Sequence, residues 1–284
     1  MFVEVCYDHI SKVGAILSCL AFAILYVGSL YIKSQRLPRD HPKTIKERIL
    51  RVSLASALAC VILFFSSSNS TSQCQSATFL EWIGIRFEGL IPAVFLPSFL
   101  IIILFLGPVV MLLIDHGMKS LFSSQMSDIT IWRNYFVAPL SEELVFRGCM
   151  LPLLVPAFGK FTSILLAPWF FGLAHIHHAS EQYKTGSYPL STIVASTLFQ
   201  ASYTTIFGIL SSYIFLRTGH LISAFISHAL CNMMGFPEFE HALTHRHNII
   251  ISLNFVLGLA SFIIILGPLT KPSIYGNTLY GDEF

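Results

Sequence analysis

The chain has 284 residues, of which 54% are hydrophobic and only 11% charged, against about 25% charged in an ordinary soluble domain. With a mean hydropathy of +0.70, this composition argues against a soluble globular protein and against a disordered one. The net charge of +2 carries no whole-chain signature of nucleic-acid binding. The sequence reads as a polytopic helical membrane protein, one domain over residues 1–284.

Apolar runs of spanning length set the organisation: residues 13–32, 49–65 and 90–114, then less clean runs at about 139–156, 161–175, 190–216, 221–234 and 249–266. These predict about eight transmembrane segments. The runs ending near His175 and Met234 are short and interrupted by polar residues, which suits a protein interior or a water-filled cavity better than lipid. The N-terminus carries Glu4 and Asp8 with Lys12 as its only base, and no small-x-small site follows, so the first run reads as a retained span. Lys33, Arg36, Arg39, Lys43, Lys46, Arg48 and Arg51 crowd the first loop against Asp40 and Glu47. By the positive-inside rule this loop is cytoplasmic and the N-terminus lies on the far side. The next loop holds Asn69-Ser70-Thr71, a short acceptor pattern for N-glycosylation. Of the six cysteines, Cys19, Cys60, Cys149 and Cys231 lie in apolar runs, and no CxxC pair occurs, so neither a zinc ribbon nor a disulfide framework is expected.

Ionisable residues inside a membrane mark function by default, and the C-terminal half has three such clusters. The first is Ser141-Glu142-Glu143-Leu144-Val145-Phe146-Arg147, read as the start of a helix with Ser141 as N-cap. Adjacent glutamates point about 100° apart on a helix, so they do not share one role. Glu143 and Arg147 stand at i and i+4, the favourable order for an ion pair, which leaves Glu142 to face a cavity. The second cluster ends an apolar run at Phe171…His175-Ile176-His177-His178. The third is His228…Asn232, an i, i+4 pair on one helix face. A carboxylate, two imidazoles and a carboxamide suffice for hydrolysis: a base for water, a partner to hold it, and oxyanion donors. A carboxylate and two histidines also form a zinc ligand set, although no HExxH is present. Interhelical hydrogen bonding is the non-catalytic alternative.

In order and placement these clusters resemble the type II CAAX prenyl endopeptidases, a family of glutamate-dependent intramembrane proteases with the pattern EExxxR, FxxxH, HxxxN. Here it reads Glu142-Glu143…Arg147, Phe171…His175 and His228…Asn232. Phe199-Gln200…Tyr203-Thr204…Phe207-Gly208, Leu216-Arg217-Thr218-Gly219-His220 and Gly235-Phe236-Pro237 extend the likeness over about residues 135–240, the expected catalytic core. The resemblance implies a helical bundle with a conical interior cavity and no cofactor or metal. It implies release of the C-terminal aaX tripeptide from farnesylated or geranylgeranylated CAAX proteins, such as Ras-type small GTPases, at the endoplasmic reticulum membrane with the site facing the cytosol. A carboxyl methyltransferase would act next on the exposed prenylcysteine. By position, Glu142 is the water-activating base, His175 its partner, His228 and Asn232 the oxyanion stabilisers, and Glu143 and Arg147 supporting residues. Parity agrees: after three spans from a far-side N-terminus the chain is cytoplasmic just before Glu142, and His175 follows two further segments. A zinc metalloprotease of the same fold and a non-hydrolytic transporter or scaffold are the competing readings; no inverted repeat supports a transporter.

Overall fold

A computed structural model describes residues 4–32, 37–69, 77–117, 128–174 and 188–281, together with 176, 179, 182, 183 and 186. Helix α1 (Lys12–Ser29) starts at Ser11, whose hydroxyl accepts from the Gly14 N–H at 3.1 Å. It buries Ala15, Cys19, Phe22, Ala23 and Tyr26, while Val13, Leu17, Leu20 and Ile24 point outward. Helix α2 (Pro42–Phe65) repeats the pattern, with Ala55, Ser56 and Ala59 inside and Leu50, Leu54 and Leu58 outside. Both helices turn large aliphatics outward and place small residues among the larger ones inside, as helices that associate in lipid do, where close backbone approach rewards packing.

The N-terminal strand β1 (Glu4–Cys6) pairs antiparallel with β2 (Ser68–Asn69) and β3 (Ala77–Thr78). The chain end and the loop after α2 therefore share one end of the bundle, as a two-span hairpin requires. Asn69 is exposed there; Ser70 and Thr71 lie outside the described residues, as do Lys33 and Arg36 of the basic loop. Helix α3 (Phe79–Trp82) follows behind a capping box between Thr78 and Glu81. Trp82 forms the hub of this end. Its indole N–H donates to the Val5 carbonyl at 3.0 Å, and its own carbonyl accepts from the Tyr280 hydroxyl at 2.8 Å.

Helices α4 (Leu90–Leu104) and α5 (Leu106–His116) meet at 72°. Pro108 occupies the first turn of α5, where its missing N–H has no helical partner to lose. A segmented helical run follows. It comprises α6 (Ile129–Trp132), a π-helical segment (Arg133–Val137), α7 (Ala138–Glu143), a second π-helical segment (Leu144–Cys149) and α8 (Leu151–Phe158). Then come α9 (Lys160–Ala174), α10 (Leu190–Thr218), α11 (Leu221–Met234), α12 (Phe239–Thr244) and α13 (Asn248–Leu269). Beyond α13 a 3₁₀ turn (Pro272–Tyr275) leads back to the sheet end.

Among the described residues α1, α2, α10 and α13 are long and apolar enough to cross a membrane; the bent α4–α5 pair makes a fifth where it counts as one broken span and is otherwise a re-entrant loop. Helices α9 and α11 are apolar but shorter. The chain is a multi-pass helical membrane protein. The long spans fall short of the eight segments expected, because the run through residues 129–158 is broken by π turns and α9 and α11 are under spanning length. Of these irregular elements the second π segment is the most buried, with Val145, Phe146, Arg147, Gly148 and Cys149 all inside.

Candidate active site

The run from Ile129 to Cys149 carries both glutamates. It starts at Asp128, whose carboxylate accepts from the Thr130 N–H at 2.8 Å and is held below the usual carboxylate range by that bond. Ser141 thus lies inside the helix and is not the N-cap its sequence suggested. Its hydroxyl bonds to the Ala138 carbonyl at 3.1 Å and to the Tyr26 hydroxyl at 2.9 Å. The misreading came from Pro139, which resembles a helix start. In the structure Pro139 follows a π turn, where the next backbone bond would run to the Asn134 carbonyl. Proline cannot donate it. The side-chain amide of Asn232 donates to that carbonyl instead, at 3.0 Å.

Glu143 and Arg147 form the expected ion pair, with Arg147 Nη1 donating to Glu143 Oε1 at 3.0 Å and the two side chains 0% and 1% exposed. The pair is enclosed on all sides. His228 Nδ1 lies 2.7 Å from the same Oε1, and the Ser211 hydroxyl donates to Oε2 at 2.6 Å. Arg147 Nη2 reaches the Gly208 carbonyl at 3.4 Å, and its guanidinium lies 4.5 Å from the centre of the Phe171 ring. A carboxylate paired with arginine accepts hydrogen bonds, so Nδ1 of His228 carries the proton and Nε2 faces the opposite way. That nitrogen lies 3.7 Å from Glu142 Oε2. Phe171 and Phe207 pack beside the imidazole ring at 6.0 and 4.7 Å between centroids.

Glu142 has no such enclosure. It lines a cavity with Tyr26 of α1, Leu30 just beyond that helix, Phe146, and Ala174 at the end of α9. The two adjacent glutamates are therefore differentiated: Glu143 is buried against three partners, whereas Glu142 lines the cavity with the Tyr26 hydroxyl and the His228 imidazole beside it. His175 lies outside the described residues, although its chain neighbour Ala174 lines the cavity. Asn232 shares α11 with His228, four residues on. It is exposed, with one amide hydrogen committed to Asn134 and one remaining.

Two contributors, Ser211 and Tyr26, escaped sequence reading, and a third, Gly208, was noted there only as part of the family likeness. Ser211 is buried and reaches Glu143 across 68 positions. Tyr26 brings α1 to the cavity. Gly208 admits Arg147, since a Cβ there would stand 2.8 Å from Pro168 Cβ and 3.2 Å from Arg147 Nη2. Elsewhere among the described residues, one cluster has metal-ligand chemistry: Asp115, His241 and His245. The His247 N–H donates to His245 Nδ1 at 3.0 Å, which puts the His245 proton on Nε2, 2.9 Å from Asp115 Oδ1. Hydrogen bonding between α5 and the end of α12 accounts for that cluster.

The fold and the group around Glu143 define a polytopic membrane protein with a buried acid–imidazole cluster in its interior. The family model described as type II CAAX prenyl endopeptidase Rce1-like matches residues 125–234. The human protein named CAAX prenyl protease 2 is 40% identical over 276 residues, 93% of this chain and 83% of its own length. The Arabidopsis thaliana protein of the same name is 32% identical over 95% of this chain and 94% of its own. The rat protein is 37% identical, at 93% and 82%. No solved structure gives a significant match. The chain belongs to the type II CAAX prenyl endopeptidase family and is a peptidase.

Proposed function

We propose that the protein removes the C-terminal aaX tripeptide from prenylated CAAX proteins, using a water activated by Glu142. The observation that carries this is the division of labour between the glutamates. Glu143 has its lone pairs occupied, while Glu142 beside it faces a cavity and an imidazole.

In this reading Glu142 takes a proton from water as the hydroxide attacks the scissile carbonyl. The tetrahedral oxyanion is held by the remaining amide hydrogen of Asn232 and by His228 in its imidazolium form, in which Nδ1–H stays on Glu143 and Nε2–H is the donor; such donors matter most where the negative charge develops. The proton held by Glu142 then passes to the departing amine, which leaves as the free tripeptide, and the prenylcysteine keeps a new carboxylate. His175 assists Glu142. Glu143 and Arg147 support the site by fixing the tautomer and orientation of His228. Because a prenyl chain partitions into lipid, the substrate arrives in the plane of the bilayer and enters between helices. The setting is the endoplasmic reticulum membrane with the cavity facing the cytosol, since the basic first loop borders that cavity. A carboxyl methyltransferase is the natural consumer of the product.

The test is release of the tripeptide from a farnesylated CAAX peptide by purified protein in detergent, with and without chelator. Release that survives chelation and falls by a factor on the order of 10²–10⁴ in Glu142→Gln, the range a general base supplies, is the expected result. Loss of activity on chelation would replace Glu142-activated water with a zinc site.

A further inference from the structure

The cavity that Glu142 lines is bordered by three arginines: Arg39 before α2, Arg48 within α2, and Arg133 in the first π turn. Between the cations and the glutamate its wall is apolar, with Leu30, Ile49, Val52 and Val137 among the lining residues. A prenyl chain has no use for three guanidinium groups. A short peptide with aliphatic side chains and a free C-terminal carboxylate matches both features. We propose that this cavity is the subsite for the departing tripeptide, in which Arg133, with Arg48 and Arg39, binds the terminal carboxylate of the substrate.

The inference rests on the endopeptidase reading of the site and adds where the leaving group lies. Arg133 and Glu142 are nine residues apart on one helical run, at most about 13.5 Å along the axis at the α-helical 1.5 Å per residue. Three extended residues separate the scissile carbonyl from the terminal carboxylate by about 10 Å. A carbonyl placed at Glu142 thus puts the carboxylate within a side chain's reach of Arg133. The guanidinium is already held in place: Nη1 donates to Asp40 at 2.7 Å and Nε to the Asn134 side-chain oxygen at 2.9 Å, leaving Nη2 directed to other acceptors. Arg133 is largely buried, with 18% of its side chain exposed, so an arriving carboxylate is screened less than at an open surface. A remote charge contact of this kind sets the length of the fragment removed, because only a chain ending three residues beyond the scissile bond satisfies both groups.

The experiment compares two farnesylated CAAX peptides, one with a free C-terminal acid and one with a C-terminal carboxamide, using the purified full chain in neutral detergent. Neutral detergent removes anionic lipid headgroups, which would otherwise compete for the same arginines. The unaltered protein is expected to prefer the acid by about ten- to hundredfold in kcat/KM, the scale of a charge-assisted hydrogen bond. The effect should lie mainly in KM, because the contact is equal in the ground and transition states. Arg133→Gln and Arg48→Gln should bring the acid-to-amide ratio toward one, and Arg133→Lys should keep part of the preference. Because the ratio is read within each protein, loss of folded material does not alter it. Equal cleavage of acid and amide by the unaltered protein, or an unchanged ratio in both Gln variants, overturns the subsite and leaves the peptidase reading standing. Cleavage of neither peptide overturns both.

Discussion

Glu143 is held by Arg147, His228 and Ser211, and the bond to Ser211 decides which oxygen faces the imidazole. Without that hydroxyl, Oε2 is a buried acceptor with no partner, a loss of about 1–3 kcal/mol. Ser211→Ala should therefore lower both the melting temperature and kcat, whereas Ser211→Thr, which keeps the hydroxyl, should restore kcat. Normal turnover per folded molecule in Ser211→Ala would remove the residue from the positioning chain. For the buried pair itself, Glu143→Ala and Arg147→Ala should each cost about 3–5 kcal/mol, because each strands a charge in the interior. The double variant should cost less than the sum, and a thermal-stability cycle showing simple additivity would dissolve the pair. Asn232→Ala should lower kcat on the order of a hundredfold with little change in KM, as for other oxyanion donors. Kinetics on the folded fraction separate this from its second duty at the Asn134 carbonyl. The ion pair was legible from the sequence because i, i+4 spacing is local. Ser211 was not. On the same helix Ser202, Thr204, Thr205 and Thr218 all bond back to carbonyls four residues earlier, and nothing in the chain marks Ser211 as a hydroxyl that crosses to Glu143.

At the scale of elements, the site depends on two irregularities, the π turns on either side of α7 and the close approach of α9 and α10. Each π turn inserts a residue into the helical phase and so changes the direction of every side chain after it. Spacing arguments that assume 3.6 residues per turn cannot anticipate this. Hence the relation of Glu142 to Glu143 survived from sequence, while the helix start was set at Ser141 instead of Asp128. Close approach is permitted by Gly172, against Thr205, and by Gly208, against Pro168. Gly208→Ala should destabilise the protein by about 1–3 kcal/mol, the usual cost of overpacking, and should also weaken the hold of the Gly208 carbonyl on Arg147. A melting temperature at or above that of the unaltered protein would show that the helices separate without penalty.

At the scale of the whole molecule, the two ends of the bundle are built differently. The end with the sheet is a dense set of specific hydrogen bonds. Asn277 donates to the Leu216 and Arg217 carbonyls at 2.8 and 3.2 Å, Tyr280 to Trp82, and Trp82 to Val5. The opposite end carries the cavity and its arginines. Helix α1 connects them, about 27 Å long at 1.5 Å per residue, with Val5 preceding it at one end and Tyr26 near the other. Long spans and the basic loop were legible because hydropathy and charge are averaged over many residues. The sheet-end network was not, because its partners are single residues separated by most of the chain.

The bond between Tyr280 and Trp82 spans 198 positions, and this has a consequence during biosynthesis. At about 5–20 residues per second, some 10–40 s separate the emergence of Trp82 from that of Tyr280. Throughout that interval the seat beside Trp82 is empty and the N-terminal hairpin waits in the membrane with an incomplete cap. A chain cut before Tyr280 leaves the Trp82 carbonyl without this donor, so such a truncation should lower the thermal stability of the sheet end of the bundle.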